Sequence, residues 1–116
     1  MISTILATLV ALEFFYIMYL ETFATKSDAT ARVFNLNAED RENETVIVLF
    51  KNQGIYNGLI GVLLLLSLYV FHTPIWTATI LGYIILVAAY GAATSDPKIL
   101  LKQAGIAILA LLSFLL

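Results

Sequence analysis

The sequence predicts an all-α protein, a four-helix transmembrane bundle with antiparallel helices and a long polar cytoplasmic loop between helices 1 and 2. Three observations predict it. Of the 116 residues, 61% are hydrophobic and 12% charged, whereas a soluble domain has about 45–50% and about 25%. A chain this short cannot bury such an excess in a core of its own, so lipid is the solvent that accommodates it. The apolar residues gather into four segments, about 2–20, 46–71, 75–93 and 99–116, each near the about 20 residues that cross the hydrocarbon layer. Residues 63–66 and 108–112 are continuously apolar and do not alternate as membrane-barrel strands do. A single transmembrane domain over 1–116 is expected.

Each element follows from local signals. The first apolar segment has no basic residue before it, contains Glu13 and offers no small-residue cleavage pattern. It reads as a retained span rather than a signal peptide. Residues 22–45 form the long polar stretch, and 72–74 and 94–98 are tight turns in which Pro74 and Pro97 act as helix breakers. Short turns make spans 2 and 3, and 3 and 4, antiparallel neighbours. Asn37 is a helix N-cap, and Glu39, Asp40, Glu42 and Glu44 follow it, where carboxylates offset the positive end of the helix dipole. One helix from 38 to 71, roughly 50 Å long, is therefore expected. Residues 27–36 read as a short interfacial helix with Val33, Phe34 and Leu36 dipping into lipid.

Orientation follows from lysine and arginine. Lys26, Arg32, Arg41, Lys51, Lys98 and Lys102 all lie in or beside the first and third loops. The positive-inside tendency places loops 22–45 and 94–98 in the cytoplasm and both termini outside, in a multi-pass cell-membrane protein. Trp76 then reads as an interfacial anchor, and His72 as a lone histidine on the outer side.

Several chemistries are disfavoured. With no cysteine there is no disulfide or thiol chemistry, and one histidine makes a zinc site improbable. Phosphate-loop, zinc-protease and dinucleotide motifs are missing, and His72 cannot join a Ser–His–Asp set. No cofactor and no metal are expected. A net charge of −2 speaks against nucleic acid as a partner.

The polar residues within the spans concentrate near the basic loops. Glu13, Tyr16 and Glu21 lie on span 1, Asn52, Gln53, Tyr56 and Asn57 on span 2, Tyr90 on span 3, and Lys102 and Gln103 on span 4. These ten are the candidate ligand-binding residues. At 1.5 Å per residue, Glu13 lies roughly 12 Å below the cytoplasmic end of its span and Lys102 roughly 5 Å. The opposite half of the spans reads as sealed, so a polar pocket open to the cytoplasm above an apolar plug is expected.

Most of these residues admit two readings. An ionisable group inside a membrane is a functional hypothesis by default, yet Glu13 also suits a protonated or lysine-paired role in assembling the bundle. Lys51 and Lys102 can snorkel to water or pair with Glu13 or Glu21. The amides of span 2 can hold a ligand or join helices. Gly54, Gly58 and Gly61 form a close-approach face, used within the chain or between copies; a homo-oligomer is expected. Tyr83 and Tyr90 are seven apart on one face, a spacing common in core packing.

Ala11-Leu12-Glu13, Tyr16-Ile17 and Leu20-Glu21 open a recognisable pattern. Asn52-Gln53-Gly54-x-Tyr56-Asn57-Gly58 continues it, and Tyr90-Gly91-Ala92-Ala93-Thr94, Lys98-Ile99-Leu100 and Gln103 close it. Across nearly the whole chain this resembles the small bacterial integral membrane family called domain of unknown function 1304. Members of that family often carry histidine directly after the first glutamate, where this chain has Phe14. The resemblance implies the membrane fold and marks the same polar residues, but carries no activity. Three functions compete. The first is binding or transport of a small polar or cationic solute, by analogy with four-helix multidrug exporters that carry a lone glutamate in span 1. The second is a non-catalytic structural subunit. The third, less favoured, is a membrane-embedded enzyme for an amphipathic substrate, which would need an arginine inside the bundle, whereas Arg32 and Arg41 lie in the loop.

Overall fold

Helix follows helix along the chain. The computed structural model describes residues 1–95 and 97–116; Asp96 and the side chains of Ile99 and Lys102 lie outside the described residues. Helix α1 (Ile2–Met18) continues into a wider π-turn segment, Tyr19–Phe23. Two short helices follow, α2 (Asp28–Phe34) and α3 (Ala38–Glu42). Helix α4 (Glu44–Leu65) ends in a second π-turn segment, Leu66–Val70, and α5 (Pro74–Thr94) and α6 (Ile99–Leu115) complete the chain. No strand occurs among the described residues.

Three helical stretches are long and apolar enough to cross a membrane: Ile2–Phe23, Glu44–Val70 and Pro74–Thr94. The fourth expected span forms α6, an apolar helix of 17 residues, the lower end of the usual range of about 17–25. Large apolar side chains are left exposed in both units, among them Leu12, Leu59, Leu63, Leu86, Val87 and Leu109.

The expected continuous helix over 38–71 is not formed. Asn43 leaves helical geometry at φ −76° and ψ 117°, separating α3 from α4. Its side-chain oxygen then accepts from the Val46 amide at 3.1 Å, which caps the first turn of α4 and makes the break self-consistent. The Asn37 cap is present as a capping box: the Asp40 amide donates to Asn37 Oδ1 at 2.7 Å, and Asp40 accepts from the Asn37 amide.

The chain divides into two compact units. In the unit of residues 1–11 and 62–116, α5 packs along α6. Leu81, Ile84 and Ala88 of α5 are buried, as are Ala104, Ala107 and Ala110 of α6. Alanine at every third position keeps one face of α6 thin, which allows close helix approach. Thr8 Oγ1 shares a hydrogen bond of 2.7 Å with the Tyr69 hydroxyl. Ser67 and Thr77, both buried, join hydroxyl to hydroxyl at 2.7 Å. His72 takes a left-handed backbone conformation, φ 48°, which turns the chain between the π segment and Pro74. A cleft of about 200 Å³ lies there, lined by Thr4, Ser67, His72, Thr73 and Thr77 among others. The reading of Tyr83 and Tyr90 is corrected, since both are exposed rather than packed in a core.

The unit of residues 12–61 holds the C-terminal part of α1 with its π-turn segment, the two short helices and most of α4. Ser27 caps α2 by accepting from the Thr30 amide at 3.1 Å. The buried Thr30 hydroxyl lies 2.7 Å from the Ala24 carbonyl and 3.1 Å from that of Leu20, and fastens α2 beneath the end of the π segment. Arg41 donates to the Lys26 carbonyl at 2.6 Å and to Asp28 at 2.8 Å. The peripheral helices are thus closed onto each other. Phe34, expected in lipid, instead meets Phe50 edge to face at 5.2 Å.

Candidate functional site

Within residues 12–61, the end of α1 with its π-turn continuation meets α4 through two matching triplets. Met18, Glu21 and Thr22 face Gly58, Asn57 and Gly54 in reverse order, as antiparallel neighbours must. The i, i+3, i+4 spacing places Gly54, Asn57 and Gly58 on one face of α4. A Cβ added at Gly58 would meet the Met18 sulfur, and one added at Gly54 would meet Thr22 Oγ1, with the Thr22 backbone nitrogen at 3.0 Å. Both glycines are therefore spent on contact within the chain. Thr22 Oγ1 donates to the Lys51 carbonyl at 2.9 Å, a polar tie made possible by that approach.

Glu21 sits at the centre of the contact. It is only 3% exposed, and Asn57 Nδ2 donates to its Oε1 at 2.5 Å. Thr25 Oγ1 donates to the Glu21 carbonyl at 2.6 Å. A buried polar group needs such a partner, because an unsatisfied one costs about 1–3 kcal/mol. The π turns over 19–23 set the pairing: the Ala24 amide bonds back five residues to Tyr19 at 2.9 Å, which rotates the last turn of the helix relative to an α-helical path.

Glu13 differs. It lies two turns earlier on α1, half-buried, and has no hydrogen-bond or ion-pair partner among the described residues. Tyr16, one turn on, is exposed. On α4, Asn52 turns back to its own helix, donating to the Val48 carbonyl at 3.0 Å. Gln53 and Tyr56 are exposed. Of the ten expected site residues, Glu21 and Asn57 are thus in direct contact, and Glu13, Tyr16, Asn52, Gln53 and Tyr56 share their unit. Tyr90 and Gln103 belong to the other unit, where Tyr90 is exposed and Gln103 half-buried. The Lys102 side chain lies outside the described residues.

A cleft of about 340 Å³ opens beside this contact, at the end of α1. Thr22, Phe23, Lys26, Ser27, Ile47 and Lys51 are among the residues that line it. Neither this cleft nor the role of Thr30 was anticipated. The signal was present as Ser27-x-x-Thr30, an N-cap spacing whose second hydroxyl can turn inward.

Fold and site together define an all-helical protein with three helices apolar enough to cross a membrane and a polar helix–helix contact on two of them. The chain belongs to the family described as a protein of unknown function, DUF1304, whose pattern matches residues 8–115. It is similar to the uncharacterized protein YpaA of Lactococcus lactis subsp. lactis (strain IL1403), at 57% identity over 113 residues, covering 97% of this chain and 95% of that protein. No solved structure is a significant match to the chain.

Proposed function

We propose that the chain is an integral membrane protein that binds a small cationic or polar solute at a site centred on Glu13 and reached from the cytoplasm. The observation that carries the reading is the contrast between the carboxylates of α1 and of its π-turn continuation. Glu21 is buried and joined to Asn57, as a helix-joining residue is. Glu13 has no such partner among the described residues, and a carboxylate placed inside a span without a structural partner calls for a ligand. In this reading α6 is the fourth span, and the basic residues set both termini outside, with 22–45 and 94–98 in the cytoplasm.

Binding of tetraethylammonium to the full chain in mild detergent, followed by calorimetry, tests the site. Saturable binding by the native chain and a loss of about tenfold or more in Glu13→Gln, worth about 1.4 kcal/mol, is the expected result. Equal affinity in the two chains removes the proposal. The triplet contact between α1 and α4 favours a second reading, a structural subunit whose polar residues only join helices. On that reading Glu13→Gln lowers thermal stability and leaves cation binding unchanged or absent in both chains.

A further inference from the structure

We infer that the cleft at the end of α1 holds the phosphodiester headgroup of an anionic phospholipid, with Lys26 and Lys51 as its charge partners. The inference rests on the chain lying in a membrane, but not on Glu13.

The chemistry of the lining selects the ligand. Thr22 and Thr25 commit their hydroxyl protons to the carbonyls of Lys51 and Glu21. The ammonium groups of the two lysines remain the strong donors. Lys51 has no side-chain partner among the described residues. Lys26 has a contact of 3.5 Å with Glu42, both side chains being largely in solvent, and two of its three donors are unspent. The nearest buried carboxylate, Glu21, is turned to Asn57. Of the charged side chains lining the cleft both are cationic, Lys51 without a carboxylate partner among the described residues and Lys26 held only by the solvent-exposed contact with Glu42.

Position and shape select the source. Phe23 closes the first stretch long and apolar enough to span, and Ile47 and Lys51 lie in the first turns of the second. In a bilayer this is the level at which hydrocarbon gives way to phosphate. Phe23, 71% exposed, and Ile47 supply an apolar wall for the glycerol and upper acyl carbons. Basic clefts between helices near the cytoplasmic surface suit anionic headgroups, and about 340 Å³ is within the range of small-ligand sites, about 300–1,000 Å³. A zwitterionic choline headgroup would bring a fixed cation toward the same two ammonium groups.

Native mass spectrometry of the full chain in mild detergent tests the assignment, with phosphatidylglycerol and phosphatidylcholine of identical acyl chains as probes. Phosphatidylglycerol should be retained in preference. Lys26→Gln and Lys51→Gln should each weaken its binding about fivefold, and the double variant should remove the preference. Glu13→Gln should leave it intact, which separates this site from the proposed solute site. Equal retention of the two lipids, or undiminished preference in the double variant, overturns the inference. Displacement of phosphatidylglycerol by millimolar inorganic phosphate overturns the lipid assignment in favour of a free anion. Circular dichroism of each variant confirms that helicity is unchanged.

Discussion

Asn57 Nδ2 lies 2.5 Å from Glu21 Oε1, joining α4 to α1 inside a contact that leaves Glu21 almost wholly buried. The pair is flanked on both sides by glycines, so the helices are close enough for two short side chains to meet. Glu21→Ala and Asn57→Ala each leave the other group without a partner and should destabilise the chain by about 1–3 kcal/mol. The double variant should cost less than their sum, with a coupling of about 0.6–1.7 kcal/mol. Unfolding in detergent by the four chains of the cycle measures it. Strict additivity would mean that the two groups act independently.

The two glycines should respond differently to alanine. At Gly54 the new methyl meets Thr22, including its backbone nitrogen, which cannot yield without moving α1. A loss of about 1–3 kcal/mol is expected, as for other overpacked contacts. At Gly58 the obstacle is the Met18 side chain, whose flexible thioether can turn aside. Gly58→Ala should cost less than Gly54→Ala, and thermal midpoints of the two variants would reveal the reverse order if the argument fails.

Thr30→Val keeps side-chain shape but removes the single hydroxyl proton shared between the carbonyls of Leu20 and Ala24; the Ala24 carbonyl keeps the Ser27 amide, and the Leu20 carbonyl loses this side-chain donor. A loss of about 1–3 kcal/mol follows from leaving a buried polar group short of a donor. Proteolysis should also shift, with faster cleavage between residues 24 and 36 as α2 detaches. Unchanged cleavage there would mean that Arg41 alone secures this segment.

The proposed orientation is checked by reporter fusions. A reporter active only in the cytoplasm should work when placed at Ser27 and fail at Leu116. Activity at Leu116 would reverse the topology or require an odd number of spans.

Much of the fold was legible because its causes are local. Apolar runs, Pro74 and the Asn37 cap fixed the helices within a few residues. The break at Asn43 was missed because asparagine can continue a helix or cap one, and only the Val46 amide decides between them. Glu21 and Asn57 were both marked by the cost of placing polar groups in a span, but nothing in their spacing could pair residues 36 positions apart. The glycine face was legible as a close-approach surface, whereas its partner, the face of Met18 and Thr22, depends on how the π turns rotate the end of α1. Tyr83 and Tyr90 misled because a seven-residue spacing marks a common face without saying whether lipid or protein covers it.

The triplet contact has a consequence for the order in which the protein is made. The partners of Met18, Glu21 and Thr22 in this contact all lie at or before residue 58, so the first hairpin needs nothing from α5 or α6 to complete it. The nascent chain need not hold Glu21 unpaired while it awaits later helices. A two-helix intermediate would already have its buried glutamate hydrogen-bonded to an amide, and ribosome-bound chains halted once residues through 61 have emerged should already carry that contact.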